Sequence, residues 1–119
     1  MTVWAAVALL GGAGALARFF LDGVVSERTG GGFPYGTLAV NLSGTLLLGL
    51  AAGLALRGDA MLLAGTAALG SYTTFSTWML EAHRLGEDGR PWLLWANLLV
   101  SLAAGIGALV LGRAIGGAL

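Results

Sequence analysis

The stretch Gly70-Ser71-Tyr72-Thr73-Thr74-Phe75-Ser76-Thr77-Trp78 lies inside an otherwise apolar segment. It places five small hydroxyl side chains within seven positions and two aromatic side chains three residues apart. A lipid-facing helix gains nothing from such a cluster, whereas helix ends, water-filled paths and ion sites inside membranes use one. We therefore interpret the rest of the chain as a frame that holds this stretch at membrane depth.

The composition indicates a membrane protein. Hydrophobic residues make up 57% of the 119-residue chain and charged residues only 10%, whereas about 25% of the residues in a soluble domain are charged. The 21 glycines suit membrane helices whose backbones approach closely. A net charge of zero gives no basic surface for nucleic acid, and the absence of cysteine excludes disulfides and thiolate metal sites.

Four apolar segments are long enough to cross a hydrocarbon core about 30 Å thick, which requires roughly 20 helical residues. They predict an all-α membrane protein, a single domain over 1–119, with helices over about 3–24, 35–56, 60–80 and 91–111. Residues 26–32 and 81–90 are expected to be loops, and residues 57–59 a tight turn. Pro91 is expected to be the first residue of the last helix.

The distribution of basic residues leaves the orientation in the membrane open. All six basic residues are arginine, and those in the predicted loops and ends are Arg57 and Arg113 on the side of the termini, and Arg28, Arg84 and Arg90 on the other. This bias is too small to define one topology. The chain therefore has either one weakly defined orientation or two opposite orientations that pair antiparallel. A chain this short has little room to enclose a path alone, so we expect an oligomer.

Polar side chains form stripes on two of the predicted spans. Thr37, Asn41 and Thr45 lie four residues apart on the second span, and Asn97 and Ser101 repeat that spacing on the fourth. Such a stripe serves either as hydrogen-bonding contact between helices or as the lining of a path for a small anion, to which a neutral amide offers an NH2 donor. The presence of two stripes favours the path.

The first span carries Arg18 and Asp22 one helical turn apart. They are interpreted either as an ion pair near the membrane interface or as part of a positive vestibule that attracts anions, and both interpretations remain open.

In the third span, a break at Gly70 and the hydroxyl run that follows it would leave half-helices over roughly 60–69 and 75–80. It would free backbone carbonyls that can hold a hard cation such as Na+. The alternative is an intact helix whose hydroxyls bond the preceding turn. Phe75 and Trp78 share one face, either for packing or to present electropositive ring edges to a dehydrated anion.

No Asp or Glu lies near the centre of a predicted span, which argues against a proton-coupled exporter of cationic compounds. The sequence also contains no nucleophile–base pair, no phosphate-binding loop and no metal-ligand spacing. It therefore does not predict an enzyme.

Three motifs occur in order: GGAGALARF over residues 11–19, GTLAVNLSGT over 36–45 and GSYTTFSTW over 70–78. In a four-span chain of this length they resemble the small bacterial fluoride channels, the Fluc or CrcB family. The resemblance implies a fluoride-selective channel of the bacterial cytoplasmic (inner) membrane that passively exports fluoride and protects against its toxicity. It also implies a dual-topology antiparallel homodimer with two fluoride pathways and a third helix broken near its middle.

The resemblance further implies the site residues. Backbone oxygens of Gly70 and Thr73 from each subunit would hold a structural, untransported Na+ at the dimer interface, and Arg18 would lie in the vestibule. The fluoride pathway would be lined by Asn41, Phe75, Trp78, Ser76, Thr77, Thr37 and Ser101.

Three positions depart from the family pattern. Ser71 stands where members usually have Gly, Trp78 where the second aromatic is commonly Phe, and Asn97 where a Tyr often precedes the serine of the polar track. Two other functions remain alternatives, namely a small multidrug-type four-helix exporter and a non-transporting membrane assembly subunit.

Overall fold

The computed structural model describes residues 2–30 and 32–119. Its elements are, in chain order, α1 (Thr2–Thr29), α2 (Tyr35–Gly53), α3 (Gly58–Met61), a π-helical segment (Leu62–Leu69), α4 (Gly70–Tyr72), α5 (Ser76–Glu87) and α6 (Pro91–Ala118). The described residues include no strand, and the all-α prediction is confirmed. Three helices, α1, α2 and α6, are long and apolar enough to cross a membrane.

The first two helices do not end where hydropathy predicted. α1 continues to Thr29, so residues 26–29 are helical and the predicted loop is wrong there; Gly31 of that loop lies outside the described residues. The reason is that hydropathy identifies the embedded length of a helix, whereas hydrogen bonding continues into the polar flank. α2 ends at Gly53, before its predicted end, and Ala55 has a positive φ of 59° that no α-helix accommodates.

The second half of the chain differs from the prediction for the same reason. α5 extends to Glu87, so most of the loop predicted over 81–90 is helical. Pro91 begins α6, as predicted, and that helix continues to Ala118. The turn predicted over 57–59 lies earlier than expected: residues 54–57 are non-helical, and Gly58, with a φ of 57°, already begins α3.

The third apolar segment consists of several helical pieces. The π-helical segment passes directly into α4, and Gly70 has α-helical backbone angles (φ −63°, ψ −36°). The chain becomes extended at Thr73 (φ −78°, ψ 160°) and is helical again from Ser76. The break predicted at Gly70 and the following hydroxyl run, between half-helices over 60–69 and 75–80, therefore overlaps the observed one but begins three residues too early. We refer to the non-helical residues as the 73–75 segment.

Glycines allow α2 and α6 to pack along their backbones. Four of them lie at this contact: Gly49, Gly53, Gly112 and Gly116. A Cβ added to any of the four would collide with a carbonyl oxygen of the opposite helix. The absence of side chains at these glycines therefore sets the distance between the two helices. That distance in turn sets the position of the polar stripe on α2.

α1 approaches the third segment in a similar way. A Cβ at Gly14 would collide with the Ser71 hydroxyl and the Ala68 carbonyl, and Gly14 is the buried residue of α1. The 73–75 segment is thus held near α2 by elements packed on both sides of it.

Because Gly112 faces the backbone of α2, we expect Gly112→Ala to destabilise the protein by about 1–3 kcal/mol through overpacking. Thermal unfolding in detergent measures the change. Gly107→Ala on the same helix is the matched control, since a Cβ there meets nothing within 4 Å. The control should be neutral or more stable by up to about 1 kcal/mol. Equal effects of the two substitutions would contradict the contact.

Candidate functional site

The side chain of Asn41 on α2 pairs with the backbone of Thr74 in the 73–75 segment. The Thr74 N–H donates to Asn41 Oδ1 at 2.8 Å, and Asn41 Nδ2 donates to the Thr74 C=O at 2.8 Å. One amide thus satisfies both backbone groups of a residue for which no helix supplies partners. Asn41 therefore forms a hydrogen-bonded contact between α2 and the 73–75 segment. Such contact was one of the two interpretations of the polar stripe on α2, and the lining of an anion path was the other.

The carbonyls of Gly70 and Thr73 are among those that lose their helical donors at this interruption. In a continuous α-helix the C=O of residue i accepts from the N–H of residue i+4. For Gly70 that donor is the Thr74 N–H, which bonds Asn41 instead. For Thr73 it is the Thr77 N–H, which donates to Thr74 Oγ1 at 3.2 Å. The two carbonyls deprived of these donors belong to the residues predicted to bind Na+.

Other hydroxyls of the same stretch bond the preceding turn. Ser71 Oγ donates to the carbonyls of Ala67 and Ala68 at 2.6 and 3.0 Å, and Thr73 Oγ1 donates to the Leu69 carbonyl at 2.9 Å. The back-bonding expected of an intact helix is therefore present up to the point where α4 ends. Ser71, one of the departures from the family pattern, is used entirely within its own turn and against α1.

Phe75 and Trp78 form an edge-to-face pair. Their ring centroids are 5.7 Å apart and their planes are inclined by 82°. The Trp78 indole N–H donates to the backbone carbonyl of Asn97 at 3.4 Å, which holds the ring against α6. Phe75 is 69% exposed, so one aromatic surface of the pair remains uncovered within a single subunit.

Six of the ten predicted site residues line one open cavity of about 420 Å³ between α2, the third segment and α6. They are Asn41, Gly70, Thr73, Phe75, Trp78 and Ser101. The other four lie elsewhere: Thr37 near the start of α2, Ser76 and Thr77 at the start of α5, and Arg18 on α1. The cavity joins the interrupted segment to both polar stripes.

Thr37 contacts a carboxylate that the sequence analysis did not assign to the site. Its side chain is buried, and its hydroxyl donates to Glu81, the first residue after the predicted third span. Burial raises the pKa of Glu81; the Thr37 hydrogen bond opposes this change, the Asp22 charge adds to it, and the Arg84 charge opposes it. The sequence contained a signal for placing Glu81 near the site. Glu81 follows the predicted site residue Thr77 by four residues, and the two share a helix face because α5 continues past residue 80.

Arg18 is separated from its expected partner. Within the described residues Arg18 forms no ion pair with Asp22, whose carboxylate accepts from Ser26 Oγ at 3.1 Å. The Arg18 Nε atom is buried without a hydrogen-bond acceptor. The ion pair with Asp22, one of the two interpretations of Arg18, is therefore absent among the described residues. The other interpretation, a role in a positive vestibule, stays a prediction.

Two contacts that the sequence did not predict link α2 to the end of α4. The Ser43 and Tyr72 hydroxyls are hydrogen-bonded at 2.8 Å. The Tyr72 ring and the Thr73 methyl group pack against Gly44. Ser43 lies outside the periodic stripe of Thr37, Asn41 and Thr45, so spacing alone gave no signal for it.

These observations define the class of the protein. Three apolar helices of spanning length surround an interrupted helix whose polar groups line a cavity, which is the architecture of a multi-pass helical membrane protein. Residues 5–113 match the family model described as CrcB-like protein, Camphor Resistance (CrcB). The chain belongs to this family and is a multi-pass bacterial membrane protein.

Relatives cover nearly the whole chain. A Mycolicibacterium paratuberculosis protein named fluoride-specific ion channel FluC 2 is 53% identical over 113 residues, which cover 95% of this chain and 93% of the relative. A Mycobacterium bovis protein of the same name is 52% identical and covers 95% of this chain and 90% of its own length. The Symbiobacterium thermophilum fluoride-specific ion channel FluC 1 is 40% identical, with 95% and 96% coverage.

Because Asn41 satisfies both backbone groups of Thr74, we expect Asn41→Leu to leave a partly buried N–H and C=O without partners, each costing up to about 1–3 kcal/mol. Hydrogen exchange at the Thr74 amide should accelerate strongly. Thr45→Val is the matched control, because its hydroxyl bonds only the Asn41 carbonyl of its own helix. Unchanged exchange at Thr74 in Asn41→Leu would show that the pairing does not protect this amide.

Proposed function

We propose that this chain is a fluoride-selective channel that passively exports fluoride from the cytoplasm, and that it is not an enzyme. The observation that carries the proposal is the clustering of six predicted site residues on one cavity, in a chain whose relatives are named fluoride-specific ion channels over nearly their full length. Family membership and geometry support the same function.

The site residues offer a small anion weak, neutral donors. The ring edges of Phe75 and Trp78 are electropositive, and the hydroxyls of Ser101, Ser76 and Thr77 can replace part of a hydration shell. No residue among them is a cation that would trap the anion. Arg18, set apart on α1, supplies the positive charge that attracts anions to the entrance.

Passive transport requires only the membrane potential. Fluoride enters acidified cells as the neutral acid and is trapped inside as the anion. A potential negative inside then drives the anion outward without coupling to another ion. The multidrug-type exporter is the weaker alternative, because no Asp or Glu is among the described residues that line the cavity, and Glu81 follows the predicted span and is engaged by Thr37.

Purified protein in liposomes loaded with fluoride should release it within the dead time of a mixing experiment, and should release chloride far more slowly. A fluoride-selective electrode measures the efflux. Phe75→Leu, which removes one ring edge, should lower the fluoride efflux roughly two- to tenfold. Phe19→Leu is the matched control, because Phe19 also belongs to an exposed edge-to-face pair, with Phe20, but lies away from the cavity. Equal chloride and fluoride fluxes would exclude a selective channel, and no flux at all would favour the non-transporting subunit.

We further propose that two copies assemble as a dual-topology antiparallel homodimer through the surface that carries Phe75. A single subunit leaves the cavity open on one side and leaves Phe75 exposed, and a second copy would close both. The nearly balanced arginines permit both orientations in the lipid bilayer.

A structural Na+ fits this interface. The carbonyls of Gly70 and Thr73 have lost their helical donors, and carbonyl oxygens are ligands that hard cations accept. We propose that these two oxygens from each subunit hold the ion. Its role would be to join the two interrupted helices, and it would not be transported.

A cation that binds only the assembled form stabilises it by mass action. The dimer fraction in detergent, measured by sedimentation equilibrium, should therefore be higher in NaCl than in N-methylglucamine chloride of the same ionic strength. Thr74→Val removes the hydroxyl that diverts the Thr77 N–H and should weaken this Na+ dependence, whereas Thr74→Ser should retain it. A monomer in both salts would contradict the dimer, and a dimer that ignores Na+ would contradict the cation site.

A further inference from the structure

The hydrogen-bonding pattern of the third segment changes just before the interruption. In the π-helical segment an N–H bonds the carbonyl five residues earlier, and the Gly70 N–H donates in this way to the Gly65 carbonyl. In an α-helix the carbonyl lies four residues earlier, and the Thr73 N–H donates in this way to the Leu69 carbonyl at 3.0 Å. The change from one pattern to the other therefore takes place between these two bonds.

This change leaves one backbone carbonyl more than the backbone N–H groups can satisfy. Three carbonyls lie between the two bonds, namely those of Thr66, Ala67 and Ala68. Two N–H groups remain for them, those of Ser71 and Tyr72. A membrane interior supplies no water to a surplus carbonyl, so the carbonyl needs a donor from a side chain.

The Ser71 hydroxyl is the donor at this point. Its Oγ donates to the Ala67 carbonyl at 2.6 Å and to the Ala68 carbonyl at 3.0 Å, so it serves two of the three carbonyls. Thr73 provides the contrast, because its hydroxyl donates to the Leu69 carbonyl, which already accepts the Thr73 N–H. The Thr73 bond is therefore an ordinary bond to the preceding turn, whereas the Ser71 bonds supply a donor that the backbone lacks.

α1 closes on the same point from outside the segment. A Cβ added to Gly14 would collide with Ser71 Oγ and with the Ala68 carbonyl oxygen, two groups that are bonded to each other. A space that excludes a methyl group also excludes a water molecule. The contact with α1 therefore leaves the hydroxyl in place as the donor on this side.

We propose that the Ser71 hydroxyl is a positioning group that fixes the residue at which the π-helical segment becomes α-helical. α4 is only three residues long and leads directly into the 73–75 segment, so this residue determines the direction of the Thr73 carbonyl and the Thr74 N–H. A change of pattern one residue earlier or later would turn both groups away from the cavity and from Asn41. The consequence for transport rests on the proposed channel function.

The assignment concerns this chain in particular. Ser71 is one of its departures from the family pattern, which usually has glycine at this position and so has no hydroxyl to donate. The role differs from that of the residues that line the cavity, because Ser71 is not among them and acts through the backbone that follows it.

The sequence makes a direct test possible, because Thr73 and Thr74 are its only adjacent threonines. Protein made with threonine labelled with 13C at the carbonyl and with 15N should therefore give one carbonyl–nitrogen correlation in nanodiscs, between the Thr73 carbonyl and the Thr74 N–H. In Ser71→Ala this correlation should move. Hydrogen exchange at the Thr74 amide should accelerate roughly three- to tenfold, the change expected on losing one hydrogen bond. Alanine is smaller than serine and favours helix, so the variant should fold.

Two further variants separate positioning from a general loss of stability. Ser71→Thr restores a hydroxyl and should restore both the correlation and the slow exchange. Thr29→Val is the control, because the Thr29 hydroxyl donates at 2.8 Å to the Val25 carbonyl of its own helix at the exposed end of α1. It should leave both measurements unchanged.

Fluoride efflux from liposomes provides the functional measurement. Ser71→Ala should lower efflux per folded protein by at least about twofold, the lower end of the effect of one hydrogen bond. Ser71→Thr should recover the efflux, and Thr29→Val should equal the wild-type protein.

An unmoved correlation and unchanged exchange in Ser71→Ala would overturn the assignment, and the Ser71 bonds would then be ordinary bonds to the preceding turn. The same changes in Thr29→Val as in Ser71→Ala would also overturn it. A moved correlation with unchanged efflux would overturn the link to transport. If Ser71→Thr does not fold because its methyl group meets α1, the comparison of Ser71→Ala with Thr29→Val still decides. Absence of fluoride efflux from the wild-type protein would instead refute the channel function, and the spectrum would still decide the role of Ser71.

Discussion

The pairing of the Asn41 amide with the backbone of Thr74 is the interaction on which the interrupted third helix depends. A membrane interior offers no water to backbone groups, so a helix can end there only where other groups supply the missing partners. An asparagine is suited to this purpose, because it presents one acceptor and one donor in a plane, as a backbone amide does. While Asn41 holds the Thr74 N–H, that donor does not reach the Gly70 carbonyl, and the helix ends before it.

The pairing has a second consequence one turn further along. Once Thr74 is held by Asn41, its hydroxyl occupies the position from which it accepts the Thr77 N–H and begins α5. The interruption therefore uses two side-chain acceptors, and each diverts a donor from a backbone carbonyl. The glycines between α2 and α6 belong to the same arrangement, because the depth of α2 in the bundle determines whether Asn41 reaches Thr74.

Hydropathy and periodicity predicted the class of the fold, the number of apolar segments and the stretch that matters most. They failed at helix ends, because the energetic term that they measure is transfer into lipid, whereas the helices of residues 26–29 and 81–87 continue through polar sequence. They also began the interruption at Gly70, three residues too early, where the glycine and the hydroxyl run start. The chain instead leaves the helix where Asn41, 33 residues earlier, captures the Thr74 N–H. No local signal contains that contact.

The proposed function requires one small protein to serve two ions of opposite charge, and the unused polar groups of the described residues divide in the same way. Among the described residues, the buried side-chain atoms without partners are Arg18 Nε and Asn97 Nδ2, and both are donors. The groups deprived of helical partners at the interruption are acceptors, and they include the carbonyls of Gly70 and Thr73. An anion can use only the first set and a cation only the second. Because the donors lie on α1 and α6 and the acceptors on the third helix, an anion passing the donors need not displace a cation held by the carbonyls, and the polarity of each group determines which ion it binds.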